Sequence, residues 1–511
     1  MSKNNEKKNF NFFFLFCLPQ IASATNLKKY CNSEINQIAN KDINNLKIEN
    51  ITVNVDKNKK WTKNSLKILI GNFRWIPRKY KKRYDADISV VFENNLFCNF
   101  RGSIRNNGNQ KDHIALKNNS IIQSIDVHLK NGHIYGITKF KLLRPNTRGN
   151  YKDEVLLTEI LREFNYLAPR TNFINAKING VKSKMLFQEK PDKSMLSYNS
   201  RTNGPLFEGD ERFMFRLVKN IPDNQLSNLS LGMLPLLEKG VDTMLSRQIN
   251  SEWNHENVKN FNIAHNSLTK LNASYLLYTN KYKNKKDGPT FSNYGLSNNL
   301  LGLGNKKNIL KLDVYNLTVF ATNGWHGLGV NNRKFFWNSK ERYFEPINSD
   351  TNANIEAETT VLSLPYSDQF DAAFDVLEEM LHSLDIKKLS NEMSFRGIIL
   401  NEKQTKKKIN KIKKNLNKLK KIYLESDQEI VKYNRASLEQ EKMWDNYYKA
   451  VNILDPSIYV VIKSKKLGLF QRCTTKPFVC EDFKFSKEHL NSLIEGRLAI
   501  KNIEYQYLGV M

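Results

Sequence analysis

The pattern of hydrophobic and polar positions predicts a strand-rich first part of the chain. DISVVFENNLFCNFRGSIRNNG and IDVHLKNGHIYGITKFKLLRP carry strand-like runs separated by Asn-Asn and Asn-Gly turns. Strands in TNFINAKING and KSKMLFQEK are joined by the hairpin signal Asn179-Gly180. Between these pairs, KDEVLLTEILREF places five apolar residues on one helix face: Val155, Leu156, Ile160, Leu161 and Phe164. Residues 25–190 are therefore predicted to form a β-rich lobe with one helix.

Residues 191–400 show a mainly helical pattern interrupted by one strand pair. LSLGMLPLLEKGVDTMLSRQI is the clearest helical stretch, and residues 364–385 return to helix. Within residues 313–350, RKFFWN and RYFEPI read as two strands of a hairpin that ends at Asp350. We expect a second, mainly helical lobe here.

The segment from Glu402 to Tyr448 is charged and helical, and residues 457–511 carry strand signals. We expect residues 401–511 to form a charged helical segment and a small β region. Five apolar residues recur at spacings of three and four: Ile409, Ile412, Leu416, Leu419 and Tyr423. A helix that packs this stripe on its own domain is favoured over a coiled coil or a membrane-surface helix.

The N-terminal 24 residues have the layout of a secretory signal peptide. A lysine-bearing start and an apolar stretch precede Ala22 and Ala24 in an A-x-A arrangement. A buried apolar strand is the alternative. The signal peptide predicts an exported protein, located in the periplasm, in the cell envelope or outside the cell. No later segment is apolar enough to cross a membrane.

Four cysteines follow the predicted leader and could form two disulfides in an oxidising compartment. Cys473 with Cys480 would close a short loop, and Cys31 would then pair with Cys98. Four cysteines allow three connectivities, so this pairing is a hypothesis.

The formal charge of +29 over 511 residues favours anionic partners in general. The lysines are spread along the chain among many asparagines, and no nucleic-acid-binding motif accompanies them. No specific nucleic-acid partner is predicted.

Basic residues near the predicted strands suggest sites for anions. Arg105 lies near glycines in CNFRGSIRNNGNQKDHI, where a phosphate site and a basic hairpin turn both fit. Lys141 lies within an apolar strand, where it either pairs with a carboxylate or points to solvent. Arg144 and Arg148 are candidate phosphate clamps or surface residues.

The loop NGWHGLGVNNRKFFW contains residues typical of catalytic loops but no acidic residue. His326 could act as a general base or pack beside Trp325 as a structural histidine. Asn332 and the downstream Asp350 are candidate metal ligands, although aspartate in a turn after a strand is ordinary.

The order of several motifs resembles the CotH family of spore-coat and secreted kinases. The resemblance covers roughly residues 95–355 and rests on FRGSIRNNGNQKDHI, FKLLRPNTR, EVLLTEILREFNYLAPRTNF, INGVKSKMLFQEK, HGLGVNNRKFFW and FEPINSD. It implies an α+β, atypical protein-kinase-like fold with a β-rich N-terminal lobe, a mainly helical C-terminal lobe and a charged helical extension. It also implies ATP and Mg²⁺ or Mn²⁺ as cofactors, with phosphoryl transfer to Ser or Thr of a secreted or cell-surface protein.

The resemblance also implies roles for individual residues. Lys141, or alternatively Lys139, would hold phosphates. Glu154, with Glu159 as second choice, would orient that lysine. Three further roles follow from the same resemblance: Glu189 would lie near the nucleotide, and Asn332 and Asp350 would bind the metal.

One departure from the family bears on catalysis. Asn323 or Gly324 stands where the family has a catalytic aspartate, and a neutral amide does not accept a proton as a carboxylate does. Three hypotheses follow. His326 replaces the base, or the fold serves another phosphoryl- or glycan-related reaction. Otherwise the protein is an inactive pseudokinase, an assembly or binding factor for the cell envelope or a surface polysaccharide.

Overall fold

The computed structural model describes residues 46–71, 73, 76–93, 97–210, 245–277, 298–359, 361, 364, 367–425, 458–464, 469–474 and 479–510. The strands of this part of the chain are β1 (Ile48–Val55), β2 (Tyr84–Phe92), β3 (Phe97–Asn106), β4 (Ile114–Lys117), β5 (Ser120–Gln123), β6 (Ile125–Leu129), β7 (Lys139–Leu143), β8 (Thr171–Ile178), β9 (Val181–Glu189), β10 (Leu206–Gly209), β11 (Ser246–Gln248), β12 (Lys334–Asn338), β13 (Tyr343–Ile347), β14 (Ile458–Lys463), β15 (Phe470–Cys473), β16 (Cys480–Asp482), β17 (Ala499–Ile500) and β18 (Ile503–Val510).

The α-helices of the same residues are numbered separately. They are α1 (Asn58–Ile70), α2 (Tyr151–Glu163), α3 (Lys193–Tyr198), α4 (Glu252–His255), α5 (Val258–Leu277), α6 (Asn298–Leu301), α7 (Lys306–Ala321), α8 (Phe370–His382), α9 (Ile386–Phe395), α10 (Glu402–Glu425) and α11 (Lys487–Ile494).

Seven strands close into a barrel in the order β1-β2-β3-β6-β7-β9-β8. The pairs are antiparallel except for β1 with β8, where residues 50–53 run parallel to residues 175–178. Alternate residues of the strands point inward, as their period of two requires. The barrel core includes Val53, Ile88, Val127, Phe140 and Phe187.

This barrel shows that the predicted kinase-like fold is wrong. The architecture is mixed α+β, but its first strands form a closed barrel rather than the β lobe of a kinase. The pairing of β1 with β8 closes the barrel, and it joins residues more than a hundred positions apart. Local alternation predicts strands but carries no information about such a distant partner.

A layer of helices packs beside the barrel. The apolar face of α2 contacts α7 and α9, and α10 lies across α7, α8 and α9. The stripe predicted on α10 is buried in this core, so the helix packs on its own domain as expected. The predicted continuation to residue 448 lies outside the described residues. Helix α1 was not predicted, and its Trp61 closes one side of the barrel core.

Besides the two-stranded β4–β5 pair, two larger sheets complete the architecture of the described residues. One has the order β11-β10-β12-β13, and the other has the order β16-β15-β14-β18-β17. They share a hydrophobic core with α5, in which Leu268, Phe344 and Tyr505 are buried. Four-stranded and five-stranded sheets therefore accompany the helices beyond the barrel.

Several local predictions are confirmed. Asn179 and Gly180 both adopt positive φ between β8 and β9, and β12 pairs with β13. Cys473 is bonded to Cys480. Cys98 is also disulfide-bonded, while its predicted partner Cys31 lies outside the described residues.

The predicted leader lies outside the described residues, as does most of LSLGMLPLLEKGVDTMLSRQI. Residues 246–248, at the end of that stretch, form β11 rather than helix. Among the described helices, none combines the length and the apolar character needed to cross a membrane.

Candidate functional site

Lys141 lies on the outer face of the barrel at the centre of a group of charged residues. Its neighbours Phe140 and Leu142 point into the barrel core, so strand alternation turns Lys141 outward. Burial and the charge of Lys334 lower the pKa of Lys141 to about 8, against the opposing effect of Asp350. Among the described residues, its ammonium group makes no hydrogen bond or ion pair. A partly desolvated cation without a direct ion-pair partner is an unusual arrangement that an anionic ligand would stabilise.

Asp350 follows β13 and forms an ion pair with Arg148. Arg148 Nη1 lies 2.9 Å from Asp350 Oδ1, and the Arg148 side chain is only 3% exposed. Burial opposes ionisation of Asp350, but Arg148, His326 and Lys141 outweigh burial and hold its pKa at about 2. Asp350 is therefore a carboxylate at neutral pH, and it is already paired with a guanidinium.

Glu154, near the start of α2, fixes the loop that carries Asp350. Its carboxylate accepts hydrogen bonds from the Thr351 hydroxyl at 2.7 Å and from the Ala353 amide at 3.2 Å. Arg148 Nε lies 3.7 Å from the same carboxylate. The described structure shows no ion pair between Glu154 and Lys141, so Glu154 positions the loop rather than the lysine.

The connection between β7 and α2 also touches this loop through its backbone. A Cβ at Gly149 would lie 2.5 Å from the Asn352 carbonyl oxygen, so only glycine allows this approach. Asn150 N donates to the Ala353 carbonyl at 3.1 Å. Asp350 and Asn352 both have positive φ, a strained conformation that these contacts hold in place.

His326 and Asn332 bind each other beside this cluster. The Asn332 side-chain amide lies 3.0 Å from both the His326 carbonyl oxygen and its Nε2. A carbonyl can only accept, so the Asn332 NH₂ group faces His326 and donates its second proton to Nε2. The imidazole proton is then on Nδ1. The lone pair of Nε2 is occupied, which weakens the case for His326 as a general base.

His113 joins the site, although its sequence context suggested only a turn. Burial lowers the pKa of His113 to about 4; Asp112 opposes this and Arg148 reinforces it. Its Nδ1 is buried without a hydrogen-bond partner among the described residues. Gly108 has a φ of +87° and packs against this ring, where a Cβ would clash with it. His113 is therefore a buried, neutral imidazole packed next to the charged residues of the site.

A second group of basic residues surrounds Asp126 on the same outer face. Asp126 is directly opposite Lys141 on the neighbouring strand and is 1% exposed. Its carboxylate lies 2.8 Å from Lys190 Nζ, 3.5 Å from Arg105 and 3.1 Å from His128 Nε2, and it also pairs with Arg83. Burial opposes ionisation, but His128 and the three cations hold the pKa of Asp126 far below its usual range. One carboxylate thus faces three permanent cations.

The inner strands of the four-stranded sheet contribute another ion-pair group. Glu208 of β10 binds both Lys334 and Arg247. Burial raises the pKa of Glu208, but Lys334 and Arg247 outweigh it and hold the value at about 2. Two cations again share one carboxylate.

Other predicted site residues have different partners. Lys139 Nζ lies 2.9 Å from Glu252 Oε1, on the same face as Lys141. Arg144 donates to the Asp112 carbonyl. Asn323 donates to the carbonyls of Asn354 and Ala357 and so anchors that loop instead of facing the cluster.

Two predicted glutamates are structural. Glu159 is buried between Arg162 and Arg396, with Arg396 Nε at 2.9 Å. Glu189 is held by Arg170 at 2.6 Å and accepts from the Ser194 hydroxyl at 2.7 Å. Both carboxylates are saturated by these partners and are unavailable to a nucleotide.

The donors at Asp350 do not fit a resident divalent metal. Asp350 is paired with Arg148, and the amide of Asn332 binds His326. Within the described residues, no group of three histidine, cysteine, aspartate or glutamate side chains could hold a metal ion. A cation at Asp350 would have to share its carboxylate with the Arg148 guanidinium.

The arrangement favours binding of an anion. We define the Lys141 cleft by Lys141, Arg148, Lys190, Lys334 and Asp350; the charges of the other four all act on Lys141. Four of these five residues are cations. The sequence singled out Lys141, Arg148 and Asp350. It gave no signal for Lys190 or Lys334, because lysine is common throughout this chain.

No protein-family model matches the chain, and no curated protein matches it. The function of the site is therefore inferred from its geometry.

Proposed function

We propose that the Lys141 cleft binds the phosphate groups of a nucleotide, with ATP as the first candidate. The observation that carries the proposal is the ammonium group of Lys141, which makes no hydrogen bond or ion pair among the described residues and feels the charges of Lys190 and Lys334. Lysine is a compact point charge that commonly binds phosphate. ATP is chosen over other phosphorylated ligands because of the sequence resemblance to CotH proteins.

We propose that the protein is an exported binding or assembly factor that acts on a surface protein or an envelope glycan through this site. The Cys473–Cys480 disulfide supports an oxidising compartment. Phosphoryl transfer to a Ser or Thr hydroxyl is the second candidate, and it has less support. The Asn332 amide occupies His326 Nε2, and Asn323 faces away from the cluster.

The binding proposal is tested by thermal unfolding of the full chain with ATP, ADP or pyrophosphate. We expect each ligand to raise the unfolding temperature of the wild type and of Lys139→Met, but not of Lys141→Met. Lys139 is a matched control, because it lies two residues away on the same strand and already pairs with Glu252. The proposal would be wrong if none of these ligands stabilised the wild type. It would also be wrong if Lys139→Met and Lys141→Met were stabilised equally.

The second candidate is tested by incubation with γ-labelled ATP and a mixture of secreted proteins. Transfer that is lost in His326→Gln but retained in Asn323→Ala would favour catalysis by His326. Nucleotide binding without transfer would favour the binding role.

A further inference from the structure

The charge of this chain is concentrated on α10. Ten of its 24 residues are lysine, while its only acidic residues are Glu402 and Glu425 at the two ends. The whole chain has 80 lysine and arginine residues among 511. Lysine is therefore more frequent on this helix than an even distribution along the chain would give.

Seven of the ten lysines of α10 fall into two groups with different surroundings. Those on its flanks pair with the fold: Lys408 lies 2.9 Å from Asp153, Lys420 lies 3.0 Å from Asp375 and Lys418 lies 3.6 Å from Glu358. Four others are exposed and form no ion pair or hydrogen bond among the described residues: Lys403, Lys406, Lys407 and Lys414. We call these four residues the lysine face.

The lysine face is a continuous strip on the outer side of the helix. At 100° per residue its members fall within an arc of about 100°, opposite the buried stripe. Lys421 continues the strip, 3.8 Å from Glu425. The whole helix is about 36 Å long, and the strip from Lys403 to Lys421 extends over about 27 Å of it.

Exposed apolar side chains lie at both ends of this strip. Leu424, on the same side of the helix, is 69% exposed, and Ile399, just before the helix, is 86% exposed. Large apolar side chains flanking a basic surface are typical of helices that lie in a membrane interface. The buried stripe is already used by the protein core, so charge rather than an apolar face would supply most of the attraction.

We propose that the lysine face of α10 docks on a membrane surface rich in anionic lipid. Anionic headgroups require only point charges on a flexible stem, which lysine supplies. Single-stranded nucleic acid fits less well, because the strip has no exposed aromatic side chain on which bases could stack. The inference is independent of nucleotide binding at the Lys141 cleft.

The test is co-sedimentation of the full chain with vesicles of phosphatidylcholine alone or mixed with phosphatidylglycerol. We expect binding to the anionic vesicles only, lost at high salt because exposed charges are screened. A variant with glutamine at Lys403, Lys406, Lys407 and Lys414 should bind at least about a hundredfold less, since each lysine near the surface contributes about 1 kcal/mol.

The matched control removes four exposed lysines from another helix, with glutamine at Lys59, Lys60, Lys63 and Lys67 of α1. It should keep at least half of the wild-type binding. An equal fall in both variants would overturn the assignment to α10, as would binding to neutral vesicles. If the protein does not bind anionic vesicles but binds DNA through the lysine face, the partner of this face would be nucleic acid instead. Both variants should keep the unfolding temperature of the wild type and its response to ATP.

Discussion

Thr351 donates a 2.7 Å hydrogen bond through its hydroxyl to Glu154 Oε2, and this bond ties the Asp350 loop to the start of α2. Both residues are buried, and Glu154 also accepts from the Ala353 amide. The position of Asp350 thus depends on a carboxylate almost two hundred residues earlier in the chain.

Thr351→Val should remove this bond while keeping the shape of the side chain. We expect the free energy of unfolding to fall by about 1–2 kcal/mol, because Glu154 loses a donor in a buried position. ATP should also bind more weakly, since the loop carrying Asp350 is less firmly held. Denaturant unfolding and ATP titration measure the two effects.

Thr318→Val is the control for this change. Thr318 is equally buried but donates to the Val314 carbonyl within α7. It should alter stability without altering ATP affinity. A Thr351→Val protein with wild-type affinity would show that the loop does not depend on Glu154.

Lys141→Met should stabilise the unliganded protein at pH 7. The pKa of Lys141 is about 8 in the folded protein, below its value of about 10.4 in an unfolded chain. The unfolded chain therefore binds more protons between these values, and wild-type stability rises as pH rises from about 8 to 10. Below pH 8 the charged Lys141 lowers the free energy of unfolding by its full amount, about 1–3 kcal/mol after allowance for solvent around the ammonium group.

Chemical denaturation of the wild type and of Lys141→Met across pH 7 to 10 measures this difference. It should be largest at pH 7 and shrink towards pH 10. Lys139→Met should track the wild type throughout, since its exposed pair with Glu252 contributes little. A constant difference across the range would contradict the pKa assignment.

ATP binding should not require a divalent metal. The carboxylate of Asp350 is already neutralised by Arg148 at 2.9 Å, and phosphate charge is met by lysines instead. The ATP-induced rise in unfolding temperature should therefore persist in EDTA. A rise seen only with Mg²⁺ or Mn²⁺ would mean that Arg148 gives up Asp350 to the metal.

His265 should make the protein sensitive to acid. It lies on α5 among Phe261, Phe470 and Tyr507 of the C-terminal core. Burial and the charge of Lys463 together lower its pKa to about 4. The unfolded histidine titrates near 6.5, so stability is full above that pH and falls by about 2–3 kcal/mol as pH drops towards 4.

His265→Phe should remove this loss, because a phenyl ring fits among the aromatic neighbours and does not ionise. Unfolding free energies at pH 7 and pH 4.5 should differ less in the variant than in the wild type. His382→Phe changes an exposed histidine and should leave the wild-type difference intact. An unchanged acid loss in His265→Phe would place the sensitivity at another group.

Local chemistry explains which parts of this structure the sequence predicts. The β8–β9 hairpin follows from Asn179 and Gly180, which adopt the positive φ that such turns require. The start of α2 follows from apolar periodicity and from Asn150, whose side chain caps the helix. Each of these signals lies within a few residues of the element that it predicts.

Long-range pairing explains what the sequence did not predict. Arg148 was a candidate phosphate clamp or surface residue, but nothing near it in sequence predicts that it is buried against Asp350. Glu154 was expected to pair with Lys141, but the amide and hydroxyl groups of the 351–353 loop occupy its carboxylate. These contacts depend on how distant segments meet in the fold.

The parallel pairing of β1 with β8 makes completion of the barrel depend on the order in which the chain is synthesised. One edge of β1 can pair early with β2, but the other has no partner until Ile178, about 125 residues after Val53, has emerged from the ribosome. Until then its free amide and carbonyl groups form an open edge, a surface on which partly made chains aggregate. Nascent chains that end before residue 170 should therefore need a chaperone, whereas chains that include β8 and β9 can close the barrel.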